Sequence, residues 1–331
     1  MATGQKKVAV TQRVTVTGAA GFIGSNLVRR LLADGHVVVG VDSFDEFYDP
    51  QLKRFNISDF VDNPNFTLRE VDIRDTPALL EACDGDFGCV VHMAALAGVR
   101  PSGERPIEYC DVNVAGTMSV LELMRQRMIP HLVYASSSSI YGVNPDVPWT
   151  EDSLPQPISV YASSKLAGES MVAHSAAQHG FTSVAARLFT VYGPGQRPDL
   201  AITNFAARML TNTAIHVFGD GSALRDFTYV DDIVGGLRAA MDYRSTSFET
   251  FNLARGRQVR LMDVVTTLES VLDVEAKIDF LDPIRGDVPQ TWGSIEKSRS
   301  KLGYSPETDL KAGIEASGDW FRMVAENVEF D

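Results

Sequence analysis

Thr17-Gly18-Ala19-Ala20-Gly21-Phe22-Ile23-Gly24 follows the strand-like run Arg13–Thr17 and opens a stretch, Phe22–Asp34, in which Ile23, Leu27, Leu31 and Leu32 share one helical face. A strand that turns on glycines straight into a helix offers backbone N–H groups and the positive end of the helix dipole to a ligand, and the glycines let a diphosphate approach closely. The next apolar run, His36–Asp42, ends on an acid, and no arginine adjoins it. Asp42 can accept both hydroxyls of a ribose and would repel a 2′-phosphate, which favours NAD over NADP. A glycine turn alone can be functionless. Strand, turn, helix and acid in this order point to a dinucleotide, with Gly18, Gly21, Phe22, Ile23, Gly24 and Asp42 as candidate contacts.

Outward from this unit the alternation continues. Phe66–Val71, Gly88–Met93, His131–Ser136 and Thr182–Leu188 read as strands, and Thr76–Cys83, Ile107–Arg127 and Val160–Gln178 as helices. That order predicts an α/β fold with a Rossmann-type, doubly wound parallel sheet. After about residue 190 the rhythm loosens: Gly and Pro cluster in Gly193–Pro198, and short strands are expected at Ile215–Phe218 and Ile278–Leu281. The expected division is a disordered segment over 1–12, a dinucleotide-binding domain over 13–190, and a smaller mixed α/β substrate lobe over 191–331. About 226–255 is expected to return to the first domain. No Gly/Ser linker separates the lobes, so they should pack closely. The polar and aromatic insertion 46–58 has no conformation legible in its residues.

The chain has 331 residues, with 30 Lys plus Arg against 43 Asp plus Glu, a net charge of −13. Such a charge repels nucleic acid and anionic lipid. Cys83, Cys89 and Cys110 are too few and too scattered for a zinc site or a disulfide framework, so no metal is expected and free thiols in a reducing cytosol fit best. Residues 1–12 lack the apolar core of a signal peptide, and the run Cys89–Val99 is too short to span a bilayer. These features predict a soluble, cytoplasmic protein.

Tyr161 and Lys165 are four residues apart and share one helical face, downstream of the serine run Ser136-Ser137-Ser138-Ser139. A nearby ammonium lowers a phenol's pKa, and the phenolate can take a proton from a sugar hydroxyl as hydride leaves for NAD, with Ser137 bonded to the same hydroxyl. Taken alone, Tyr-x-x-x-Lys is common on exposed helices. Joined to the glycine turn and the serine strand end, it makes Ser137, Tyr161 and Lys165 the candidate catalytic residues.

The Gly18/Gly21/Gly24 spacing, Asp72-Ile73 after the third strand, and His92-Met93-Ala94-Ala95 after the fourth resemble the extended short-chain dehydrogenases/reductases. The resemblance implies that Asp72 and Ile73 hold the adenine, although Asp72 could equally cap a helix. It also implies that Met93, Ala94, Ala95 and Ala97 line the diphosphate and ribose path with Asn113 beside it, that Tyr161 and Lys165 also touch the cofactor, and that the protein is a homodimer. In that dimer the helices around Ile107–Arg127 and Val160–Gln178 would form the interface. Met118, Leu121, Met124 and Met171 are candidates for its seam, with internal core an equal alternative for each.

Ile215-His216-Val217-Phe218-Gly219 and Arg225-Asp226-Phe227 are similar to the nucleotide-sugar epimerase/dehydratase branch. There, residues placed like Val217 and Phe218 contact uracil and one placed like Arg225 pairs with the diphosphate; a surface ion pair is the plain alternative for Arg225. Arg285-Gly286-Asp287 stands where that branch often reads Arg-Pro-Gly-Asp, which makes Asp287 a further substrate candidate. The finer match is to the UDP-glucuronate 4-epimerases, through Phe44–Asp49, Ala95–Arg100 and Phe189–Asp199.

By that resemblance hydride leaves C4 of a UDP-sugar to give a 4-keto intermediate. Dehydratases of the branch place an Asp-Glu pair beside the catalytic serine or threonine, and decarboxylases a glutamate; Ser138, Ser139 and Ile140 stand there instead. Inversion at C4 of a UDP-hexuronic acid is therefore expected, with Ser138, Ser139, Thr190 and Arg197 holding the sugar carboxylate. UDP-glucose 4-epimerase is the alternative, then UDP-glucuronate decarboxylase, then an NAD-binding sensor without catalysis.

Overall fold

The computed structural model describes residues 11–283 and 288–328. Its central sheet contains β1 (Arg13–Thr17), β2 (Val37–Asp42), β3 (Phe66–Glu70), β4 (Cys89–His92), β5 (His131–Ser137) and β6 (Thr182–Leu188), with the strand Phe248–Leu253 outside β6. Every neighbouring pair is parallel, in the order β3-β2-β1-β4-β5-β6. Parallel strands covered on both faces must be apolar on both, and Val14, Val16, Val38, Val39, Val41, Val90 and Val91 are all buried. The Rossmann-type architecture is as the alternation predicts. Strand order reverses between β1 and β4, and at such a switch point a crevice opens beyond the strands' carboxyl ends.

Helix Phe22–Ala33 buries Phe22, Leu27, Val28 and Leu31, while Ile23, expected on the same face, lines the crevice. The expected helix Ile107–Arg127 is interrupted. It runs as Pro106–Cys110, a π-helical turn Asp111–Ala115, and Gly116–Gln126. A π turn carries an extra residue and shifts the phase of the later turns. Leu121 and Met124 accordingly lie in the interior, which removes them from the expected seam; Met118 is 47% exposed.

The insertion 46–58 contains a helix, Pro50–Ile57. It is started by Asp49, whose carboxylate accepts from Gln51 N at 2.8 Å, and by Pro50 in the first turn. In the second lobe Ile215–Phe218 and Ile278–Leu281 pair in parallel, as two strands beside helices Ala201–Leu210 and Leu261–Leu272. Helix Val230–Ala240 packs back on Phe22–Ala33, so the chain re-enters the first layer before its outer strand. Asp226, fully buried, accepts from the backbone N–H groups of Arg255 (2.8 Å), Gly256 (3.1 Å) and Gly293 (3.3 Å), fastening three segments of this lobe.

Helix Val160–His179 starts on Ser159, which accepts from Ala162 N at 3.1 Å, and ends on left-handed Gly180. Tyr161, Lys165 and Glu169 succeed one another along one face. The Glu169 carboxylate accepts from Ser136 at 2.5 Å and from Arg187 at 3.0 and 2.9 Å, and both charged side chains are only 6% exposed. Arg187 also donates to the Tyr141 hydroxyl and the Glu151 carbonyl, each at 2.9 Å. Removing one member leaves a buried charge uncompensated. Glu169→Ala should lower unfolding free energy by about 3–5 kcal/mol, read by chemical denaturation; a loss below about 1 kcal/mol would mean that the pair is not what fastens this helix.

Candidate active site

The crevice at the switch point is a cleft of about 350 Å³, built from the carboxyl ends of β1 to β6. Gly18, Gly21, Phe22, Ile23 and Gly24 follow β1, Asp42 ends β2, and Asp72 and Ile73 follow β3. Met93, Ala94, Ala95 and Ala97 follow β4, and Ser137 ends β5. Tyr161 and Lys165 reach the same cleft from their helix.

The three glycines serve different needs. Gly18 has φ +69°, and a Cβ there would lie 2.8 Å from the backbone of Ala94. At Gly24 a Cβ would lie 2.0 Å from the Gly18 carbonyl oxygen, so this position holds the helix against the turn. At Gly21 the nearest atom would be the Gly18 carbonyl oxygen at 3.3 Å, a tight contact that a shift of a few tenths of an ångström relieves.

Asp42 is buried, and its carboxylate accepts from Ala20 N at 3.0 Å and Phe44 N at 2.9 Å. Burial pushes its pKa up, opposed by the Phe44 bond, the Lys53 charge and the Ala20 bond. Two oxygens carry about four lone-pair sites, so capacity remains for ribose hydroxyls. Asp72 does not cap the following helix; Asp75 does, accepting from Ala78 N at 3.0 Å. The Asp72 carboxylate instead takes the Arg74 guanidinium at 2.6 Å, and Arg74 also reaches Asp111 at 2.8 Å.

Asn113 is not on the cleft wall. Its side chain accepts from Leu96 N (2.8 Å) and donates to Leu96 O (3.0 Å) and Ser164 Oγ (3.0 Å). It sits in the π turn, one layer beneath the path expected of it, and fixes the 93–97 loop against the helix of Tyr161.

Burial raises the Tyr161 phenol, opposed by a hydrogen bond from Ser137 and by the charge of Arg197. Burial also draws Lys165 down to about 7, with its ammonium 5.1 Å from the Tyr134 ring centroid. Both groups lie on one wall of the cleft, and burial disfavours the charged form of each. Ser137 caps the short turn Ser138–Tyr141, accepting from Ser139 N at 3.2 Å, with Ser139 Oγ 2.9 Å from its own Oγ.

Ser138, Ser139, Thr190 and Arg225 line a second, adjoining cavity of about 520 Å³, together with Arg100 and Thr291. Arg197 does not join them. It lines the first cleft, 5.0 Å over the Phe47 ring, paired with Asp199 at 2.8 and 2.9 Å. The four-residue carboxylate group expected from sequence is thus divided between two neighbouring cavities. Val217 is fully buried in its lobe, because alternate residues of its short strand face inward, so its side chain is core; Phe218 lies 4.7 Å under the Arg100 guanidinium. Asp287 lies outside the described residues.

Sequence reasoning missed Phe47, Tyr48, Lys53 and Arg74 on the first cleft and Arg100 on the second. The Asp49-Pro50 helix start was the available signal for the insertion, and it lay inside a segment with no clear apolar period. Among the described residues no group of three or more His, Cys, Asp or Glu is arranged to hold a metal. None of the described helices is long and apolar enough to cross a membrane. Cys83 and Cys89 are buried free thiols and Cys110 an exposed one.

A parallel sheet with a glycine turn and an acid at its switch point, and a Ser-Tyr-Lys set across the cleft, defines a dinucleotide-dependent enzyme of the short-chain dehydrogenase type. The model of the NAD dependent epimerase/dehydratase family matches residues 14–254, and the chain belongs to that family. It is similar to a UDP-glucuronic acid 4-epimerase from Bacillus cereus solved with UDP-glucuronic acid and NAD, at 35% identity and TM-score 0.88 over 94% of this chain and 99% of that one. UDP-glucuronate 4-epimerase 3 of Arabidopsis thaliana is 39% identical over 328 residues, covering 93% of this chain and 76% of that protein. A UDP-glucose 4-epimerase from Thermotoga maritima solved with UDP-glucose has 29% identity and TM-score 0.87 over 94% of this chain and 99% of that one.

The glycine geometry gives a direct check. Gly24→Ala should destabilise the fold by about 1–3 kcal/mol or more through overpacking against backbone. Gly21→Ala should leave the melting temperature within a few degrees of wild type. Equal melting shifts for the two would contradict the division of roles.

Proposed function

We propose that this chain is a UDP-hexuronic acid 4-epimerase, interconverting UDP-glucuronate and UDP-galacturonate with tightly held NAD. One observation carries the reading. The described lining of the second cavity holds Arg100, Arg225 and the hydroxyls of Ser138, Ser139 and Thr190, and no carboxylate. An anionic sugar nucleotide meets donors there, and among the described residues of this lining no acid stands ready to eliminate water or drive decarboxylation.

In this reading Asp42 accepts the ribose hydroxyls, the turn at Gly18, Gly21 and Gly24 faces the diphosphate, and Asp72 and Ile73 flank the adenine. Bound NAD would supply a hydride acceptor for C4, to be returned later, and a cationic ring that favours phenolate. Ser137 holds the C4 hydroxyl while Tyr161 takes its proton, and Lys165 sits on the same helix face. The 4-keto sugar turns over, and Tyr161 gives the proton back. A 4-keto glucuronate is a β-keto acid and loses CO₂ once its carboxylate swings perpendicular to the carbonyl. Hydroxyls of Ser138, Ser139 and Thr190, with Arg197 from the adjoining cleft, would hold it in place. Phe218 and Arg225 would take uracil and diphosphate.

A neutral-sugar epimerase is the strongest rival, since the Thermotoga maritima neighbour has nearly the same backbone. A sensor is disfavoured by the presence of both Tyr161 and Lys165. The NMR-resolved product from UDP-glucuronate should be UDP-galacturonate, without net consumption of NAD. Arg197→Leu should cost about 10- to 150-fold in kcat/KM for UDP-glucuronate, the worth of a charge-assisted bond. UDP-glucose, which lacks the carboxylate, should lose far less. Equal losses for both sugars, or no loss, would return UDP-glucose to contention.

The protein is proposed to be a cytoplasmic homodimer. Ile107 and Met118, 85% and 47% exposed on the two parts of the interrupted helix, support an apolar contact there. Sedimentation should give a dimer at micromolar concentration; a stable monomer would reject this assembly.

A further inference from the structure

A guanidinium that is to meet a carboxylate must be well placed, since a shift of about 1 Å can cost on the order of 10²-fold. Arg197 lines the first cleft, and its charge reaches the Tyr161 phenol. It stands on an irregular turn, 193–200, between the short strand Thr190–Tyr192 and helix Ala201–Leu210. Such a turn has no ladder of its own, so side chains from elsewhere must meet its polar groups.

Gln196, one residue before Arg197, is only 1% exposed. Its amide donates to the Val191 carbonyl at 2.9 Å and accepts from the Thr203 N–H at 3.1 Å and the Thr203 hydroxyl at 2.7 Å. Leu200, at the start of the helix, offers no side-chain cap, so Gln196 takes the N–H that a capping residue would take. The Gln196 carbonyl accepts the indole N–H of Trp320 at 2.9 Å. Trp320 is buried on helix Gly318–Asn327, which packs against Ala201–Leu210. An indole has one donor, and it is spent on this turn. From the other side Asn26, on helix Phe22–Ala33, donates to the Pro194 carbonyl at 2.9 Å. Three helices thus grip residues 194–196, and Arg197 follows directly.

We propose that Gln196 and Trp320 are positioning residues for sugar selection: they fix the turn from which Arg197 meets the carboxylate of a uronic acid. This rests on the selecting role proposed for Arg197 and extends it to the helix Gly318–Asn327. Neither residue lines the first or the second cavity, so each acts through the residue it places. A purely structural role would weaken both sugars alike. A positioning role weakens the one that uses Arg197.

The test reads selectivity. Gln196→Met keeps the length of the side chain and removes the amide, and Trp320→Phe keeps an aromatic ring and removes the N–H. Affinities for UDP-glucuronate and UDP-glucose are measured by calorimetry on full-length protein saturated with NAD, in a Tyr161→Phe background that halts turnover. The preference for UDP-glucuronate should fall about 3- to 30-fold in Gln196→Met and about 2- to 10-fold in Trp320→Phe. Added to Arg197→Leu, Gln196→Met should lower it no further, because the group it places is gone. Arg322→Ala, exposed on the same helix as Trp320, should leave it unchanged. An unaltered preference in Gln196→Met, an equal loss for both sugars, or a further fall in the combined variant would overturn the proposal. If Arg197→Leu itself leaves the preference unaltered, the selecting role of Arg197 is what fails, so the two failures are told apart.

Discussion

The arrangement at the sheet's edge depends on one buried ion pair. Glu169 and Arg187 are both shut from water, and the carboxylate also takes the Ser136 hydroxyl. The pair joins the helix that carries Tyr161 and Lys165 to β6, and through Ser136 to the end of β5 that presents Ser137. Arg187 extends the network to Tyr141, which donates to Asn252 at 2.7 Å, and Asn252 reaches the carbonyls of Trp149 and Ser294. Buried pairs of this kind are not efficient stabilisers compared with an apolar core, but they tolerate little displacement. A serine on a strand and a tyrosine on a helix that are to act on one hydroxyl, as proposed for Ser137 and Tyr161, need that rigidity.

Around this fixed edge the charges are distributed by site. The first cleft carries acids, Asp42 and Asp72, each already holding protein donors. The adjoining cavity carries guanidinium and hydroxyl groups and no acid among its described residues. A chain with net charge −13 thus keeps two arginines where an anionic sugar nucleotide would lie. Arg197 stands at the boundary. Its pairing with Asp199 and its seat on Phe47 keep the guanidinium satisfied within the protein.

Much of this was legible in the residues, for physical reasons. Buried parallel strands are short apolar runs, and β1 to β6 each begin and end within one or two residues of their sequence signals. The glycine turn and Asp42 fix one end of the cleft, and the Tyr161/Lys165 spacing fixes its far wall. What escaped depended on contacts distant in sequence. Asn113 contains nothing to say that its amide would grip Leu96 rather than a ligand, and the π turn that aims it has no period of its own. Lys53 lies in an amphipathic helix too short to show one, so only the fold reveals that its ammonium is turned inward. The Val217 side chain faces the core through strand alternation, which a run of four residues does not disclose.

In the proposed reaction, a redox-neutral inversion, the hydrogen at C4 never reaches solvent and the carboxylate never departs. UDP-glucuronate bearing deuterium at C4, incubated in ordinary water, tests this most directly, with the product analysed by NMR and mass spectrometry. The expected result is UDP-galacturonate that keeps its deuterium at C4, with no CO₂ released. Loss of the label to water, or appearance of a pentose nucleotide in place of the epimer, would contradict it.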